Sequence, residues 1–220
     1  MAILLVVGTL LAFVLFAALY EAWAGRRRNA MAVRIQVLFE HGEDVKRSLQ
    51  RLARRHDPDA QDALITLLRE SAQLVLHDRE DWAYGTVDRQ AVVGEDAANS
   101  LVGQWATTAR AAFETQTTSQ YQNGDASHGY RHEPSTPGKV GGLYLAVTVC
   151  ASTSGLTFPE APGETARDVE TALQTLCGVE SGQLLRLEVV WSPDGDGELL
   201  SEDQAIRRYP TLTPVRWAHG

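Results

Sequence analysis

The amino-acid sequence predicts an α+β protein: an N-terminal transmembrane helix, then a small mixed sheet of about three or four strands covered by helices, with a β-α-β crossover in its C-terminal part. Three observations predict it. An unbroken apolar run opens the chain, period-two stretches alternate with helical-period stretches beyond it, and no internal repeat disturbs that alternation. With 220 residues, 44% hydrophobic and 22% charged, the chain is long enough for a sizeable core and too balanced for a disordered tail. Two cysteines are too few for a disulfide scaffold, and a net charge of −8 argues against a nucleic-acid partner.

The first element is the anchor, residues 1–24. From Ala2 to Tyr20, 19 residues carry no charge, and 21 of the first 24 are hydrophobic. At 1.5 Å per residue this run crosses a hydrocarbon core of about 30 Å. Tyr20 and Trp23 stand where an aromatic belt lies, and Arg26, Arg27 and Arg28 follow. Ala22-Trp23-Ala24 also fits a signal-peptidase pattern, but no Lys or Arg precedes the apolar core, so a retained anchor is expected. The arginines then leave the N-terminus outside and residues 25–220 in the cytoplasm, with Cys150 and Cys177 as reduced thiols filling the core.

The second is a basic segment. Residues 25–55 hold nine Lys/Arg against three acids, a net of +6, whereas residues 56–220 hold eleven against twenty-four, a net of −13. Within it Val33, Ile35, Val37 and Phe39 alternate as a strand, and only Gly25 to Ala32 separate them from the anchor. A helix from Glu43 to Arg55 follows, with Val45, Leu49, Leu52, Ala53 and His56 on one face. Arg47, Arg51 and Arg54 share the opposite face, beside Arg55. That face either lies against an anionic leaflet or is a solvated face that keeps the domain soluble.

The remaining elements follow in order. Asp57-Pro58 offers a cap and first-turn proline for a central buried helix from Asp59 to about His77. Gly85 breaks the pattern after it, and a third helix carries Ala98, Leu101, Val102, Trp105, Ala109, Ala112 and Phe113 on one face. The helical part reaches about residue 118, and residues 119–142 form a long loop of glycine, proline and polar residues. In the last part, residues 143–220, Leu143 to Cys150 and Leu184 to Trp191 read as strands joined by a helix from Thr165 to Cys177. That order predicts a parallel pair with a right-handed crossover. Ser201-Glu202-Asp203-Gln204 is a capping-box start for a short final helix.

Several of these stretches resemble a known family. Arg34-Ile35-Gln36-Val37-Leu38 leads into Leu49-Gln50-Arg51-Leu52-Ala53, followed by Leu67-Leu68-Arg69-Glu70 and Asp81-Trp82-Ala83-Tyr84-Gly85. The end is the most specific part: Leu187-Glu188-Val189-Val190-Trp191-Ser192-Pro193, Leu200-Ser201-Glu202-Asp203 and Tyr209-Pro210-Thr211-Leu212. Together they resemble the domain of unknown function 1517, over most of residues 33–215. The resemblance implies a membrane-tethered protein of a family found in cyanobacteria, other bacteria and chloroplasts, whose plant member is called a fluctuating-light acclimation protein. It brings no active-site residues.

Isolated motifs suggest chemistry less strongly. Ser192 to Leu199 resembles a calcium loop, but Ser192 stands where the first Asp belongs and a strand precedes it, so an acidic turn is expected. His128 and His132 with Glu133 have metal-ligand spacing only if helical, which the surrounding glycines oppose. His77-Asp78 reads as a helix end rather than an oriented base, and Arg186 with Glu188 as a solvent-facing pair, with a partly buried pair as the alternative. Trp217 either packs back onto the domain or anchors a partner. No cofactor, metal or nucleic acid is expected. The function expected is a membrane-anchored interaction or regulatory module: Arg26, Arg27, Arg28, Arg47, Arg51 and Arg54 meet anionic lipid, and the acidic remainder meets another protein. The alternative is an enzyme or small-ligand sensor with its site between the central helix and the sheet.

Overall fold

The computed structural model describes residues 29–57, 60, 62–112, 143–160 and 165–215. The expected anchor, Arg26, Arg27 and Arg28, the 119–142 loop with its histidines, and Trp217 lie outside them. Among the described residues no helix is long and apolar enough to cross a membrane. The elements run β1 (Asn29–Glu40), α1 (Glu43–Arg55), α2 (Ala63–His77), β2 (Trp82–Val93), α3 (Glu95–Ala111), β3 (Tyr144–Ser154), α4 (Thr165–Cys177), β4 (Leu184–Ser192), α5 (Glu202–Arg208) and β5 (Thr213–Pro214).

The fold is α+β, but the sheet is neither mixed nor three- or four-stranded. Its five strands are ordered β4-β3-β1-β2-β5, and every pairing is antiparallel. The expected crossover fails because the chain crosses the sheet twice between β3 and β4. β3 ends at Ser154, which pairs with Ala30 near Val92 of β2. α4 starts at the opposite end, where Thr165 Oγ1 lies 2.9 Å from Thr213 Oγ1 of β5, beside Gly85. The connection has already made the return journey, so the helix undoes it. β4 therefore begins where β3 ended, with Leu184 against Thr153.

Side-chain alternation sorts the sheet into two unlike faces. Val33, Ile35, Val37 and Phe39 of β1, with Leu145, Val147 and Val149 of β3 and Leu187, Val189 and Trp191 of β4, form one apolar face. It packs against Val45 and Leu49 of α1, Leu68, Ala72 and Val75 of α2, and Val169, Leu173 and Leu176 of α4. Each fully buried Leu or Val here contributes about 1.5–3 kcal/mol, so this layer holds the fold. The opposite face is polar and lies under α3, whose buried residues are mostly small: Ala98, Val102, Ala106 and Ala109. Near one end it instead meets Leu200, Ala205 and Tyr209 around Leu38 and Ala146.

Two starts and one end differ from expectation, β3 running on to Ser154 rather than ending at Cys150, and one strand is unexpected. β1 starts at Asn29 rather than Val33. α2 starts at Ala63, after a turn in which Ala60 N–H donates to Asp57 C=O, so Asp57 does not cap it. No strand is expected at β2, because Gly85 reads as a breaker. Gly85 is a close-approach position instead: a Cβ there would lie 3.1 Å from Val169 Cγ2 of α4. The capping box at Ser201 is present as expected, with Gln204 N–H donating to Ser201 Oγ and Ser201 N–H to Gln204 Oε1.

Candidate functional site

The helical period of α1 turns Val45, Leu49 and Leu52 into the core and leaves Arg47, Arg51, Arg54 and Arg55 exposed. Arg47, Arg51 and Arg54 thus share one solvent-facing row, as their spacing predicts. Two of the four charges are partly answered: Arg47 pairs with Asp44, and Arg55 meets Glu70 of α2 at 2.7 Å. Arg51 donates to Ser48 Oγ at 2.9 Å. Between α1 and α2 runs an open groove of about 780 Å³, with Leu52 and Leu74 as its apolar lining and Arg51, Arg55 and His77 among its polar residues.

Lys46 is the basic residue of α1 that the sequence pattern does not single out. It is only 4% exposed, and its ammonium donates to the carbonyls of Gly195 and Glu198, the latter at 2.8 Å. Gln50 adds a bond to the Asp194 carbonyl at 3.1 Å. The acidic turn after β4 is thereby docked onto α1. Burial lowers the Lys46 pKa, while Asp194, Glu198 and Asp196 pull it back up. Carbonyls that a calcium loop turns toward a metal are here turned toward an ammonium group. No group of three or more His, Cys, Asp or Glu among the described residues is arranged to hold a metal.

A second charged cluster lies beneath α3, on the polar sheet face. Glu188 is 3% exposed and takes Arg110 of α3 at 2.6 Å and Arg186 at 2.7 Å. The partly buried alternative holds, and the pair is a triad: Glu188 is buried, while Arg110 and Arg186 are 16% and 33% exposed, because α3 covers β4 and contributes its own guanidinium. Gly103 makes the space for it, since a Cβ there would lie 3.2 Å from Arg186 Nη1. Nearby, Ser152 Oγ donates to Asn99 Oδ1 at 2.6 Å and Gln36 Nε2 to Thr148 Oγ1 at 3.0 Å. Arg34 pairs with Asp88 at 2.8 Å and lies 5.5 Å from the Trp105 ring centroid, a cation–π distance.

What these groups can do chemically follows from their partners. The carboxylates and guanidiniums beneath α3 are spent on each other and fasten the helix to the sheet. Cys150 sits among them, and burial pushes its thiol up to about 12; Cys177 is also raised by burial. Neither thiol is an activated nucleophile. His77 Nε2 is 4.0 Å from Asp78 Oδ1 with the ring largely exposed, as suits a helix end. The place between the central helix and the sheet, where an enzymatic cleft was the alternative expectation, is filled by Leu68, Ala72 and Val75 packed on β-strand side chains. Sequence reasoning missed Lys46, and Arg110 as a partner of Glu188, because these bonds span distant elements; a charge within an otherwise apolar period-two strand was the one signal that Glu188 is buried.

Comparison with known proteins supplies the remaining information. The family model described as a protein of unknown function (DUF1517) matches residues 29–215. A protein from Synechocystis sp. named FLAP1 homolog A is 30% identical over 187 residues, covering 82% of this chain and 56% of that protein. The chloroplastic fluctuating-light-acclimation protein 1 of Arabidopsis thaliana is 26% identical over 198 residues, covering 86% of this chain and 47% of that one. The chain thus spans about half the length of the curated relatives it matches. No solved structure matches it.

Proposed function

We propose, for a chain that belongs to the DUF1517 family of unknown function, that it is a membrane-anchored interaction or regulatory module. The observation that carries this reading is the row of solvent-facing arginines on α1, set on a domain whose first strand is separated by four residues from the apolar run of residues 1–24. Four residues reach at most about 14 Å, so the start of β1 stays beside the bilayer. Arg26, Arg27 and Arg28 at the anchor, with Arg47, Arg51 and Arg54 on α1, meet anionic lipid on the cytoplasmic side. The acidic remainder, −13 over residues 56–220, is repelled by that lipid and turns toward a protein partner. The relative named for acclimation to fluctuating light supports a regulatory class of role, without naming this chain's partner.

The test is co-sedimentation of residues 25–220 with anionic vesicles at low salt. At about 1 kcal/mol per charge near the surface, changing Arg47, Arg51 and Arg54 together to alanine should weaken binding roughly 100-fold. Added salt should weaken it too, by screening. No binding, or binding indifferent to the three substitutions, rejects the lipid contact.

A further inference from the structure

Among the described residues, β2 has an open edge. One side of the strand pairs with β1 along its length, from Asn29 against Val93 to Leu38 against Tyr84. On the other side, among the described residues, β5 pairs only with Tyr84 and Gly85. Val215 N–H donates to Ala83 C=O, and Thr213 lies opposite Gly85, so the odd-numbered residues of β2 turn their backbone groups outward. Val87, Arg89, Ala91 and Val93 continue that row beyond β5. The last four residues, Gln90-Ala91-Val92-Val93, carry no charge and no proline, and Val93 is 63% exposed. Edge strands that must stay single are usually blunted by charge, proline or a bulge. Residues 90–93 have none of these, and the two charges before them, Asp88 and Arg89, are held within the fold by Arg34 and Asp168.

We infer that this edge pairs with the same edge of a second copy of the chain, antiparallel and centred on Ala91. Two features favour that occupant. The register is self-complementary: Arg89 falls opposite Val93 of the second copy, Gln90 opposite Val92 and Asp88 opposite Gly94, so no charge meets its like. The chain outside the described residues also ends at the right place, because Asn29 pairs with Val93. A two-fold axis through Ala91 brings both Asn29 residues within about 7 Å of it along the strands. Two single-pass anchors leading into them would then stand side by side. The free edge itself is independent of the anchored reading; the choice of a second copy rests partly on it. A pairing this short buries less than the roughly 1,200 Å² typical of stable complexes, so confinement to one membrane supplies the effective concentration.

The test uses the full chain in its native membranes. In a Cys177→Ser background, Ala91→Cys is treated with a short thiol-specific crosslinker, and Gln104→Cys on the exposed side of α3 serves as the control. The expected result is a product of twice the chain mass from Ala91→Cys, at least ten-fold more abundant than from Gln104→Cys. Two differently tagged copies should co-purify, and Ala91→Lys should lower that recovery at least ten-fold with the thermal midpoint unchanged. Should Ala91→Lys disturb folding, Gln90→Lys, exposed and bonded through its backbone to β1, replaces it. Equal crosslinking from the two cysteines, a product only of another mass, or recovery indifferent to the lysine overturns the inference. Membrane fractionation of the same cells scores anchoring separately.

Discussion

Glu188 accepts from two guanidiniums, one from α3 and one from its own strand, while 3% exposed. Removing the buried carboxylate leaves two partly exposed guanidiniums without their acceptor, which costs about 3 kcal/mol, the low end for a broken buried pair. Glu188→Ala should therefore lose that much stability in urea titration. Glu70→Ala, which breaks the exposed bridge to Arg55, should lose under about 1 kcal/mol. Equal losses would show that the triad is no more buried than a surface pair. The sequence contained the hint, an acid inside an apolar strand, but not its resolution. Whether Glu188 faced water depended on what covered β4, and that is α3, some eighty residues earlier in the chain.

The turn joining β1 to α1 passes against β3 so closely that a Cβ on Gly42 would lie 2.3 Å from Leu145 Cβ. Neither atom can rotate away, so backbone must shift. Gly42→Ala should destabilise by about 1–3 kcal/mol, in the range of overpacked cores. Gly182, with nothing near its missing Cβ, should tolerate alanine with little change in the denaturation midpoint. Period-based reading works well for elements that bury one face. α1, α3, α4 and α5 stand close to where their apolar spacing and caps put them, and β1, β3 and β4 alternate as expected. It failed for β2, whose two faces are half-exposed and whose glycine serves contact with α4 rather than a turn. It failed also for the direction of β4, since a strand–helix–strand order does not say how often the connection crosses the sheet.

Across the whole molecule, alkaline pH should be the weak side of stability. Burial pushes Cys150 from its ordinary value near 9 up to about 12, and Tyr209 from near 10 up to about 12. Between those values the unfolded chain releases protons that the native chain keeps. The stability tied to the neutral groups is thus whole below pH 9 and declines as pH rises toward 12, by up to about 1.4 kcal/mol per unit for each group. Thermal midpoints measured from pH 8 to 10.5 should fall more steeply for the native sequence than for Cys150→Ala. Parallel slopes would place the thiol in contact with water. The division of charge, +6 before residue 56 and −13 after it, is a property of the linear chain and was complete in it. So were the helical faces and the arginine row of α1, because each depends on neighbours within one or two turns of chain, and the family resemblance, which rests on the order of short stretches along the chain. Strand order, the triad at Glu188, the Lys46 clasp on the acidic turn and the open edge of β2 were decided only by the tertiary fold. They depend on which distant segments share a boundary, and local spacing carries no information about that.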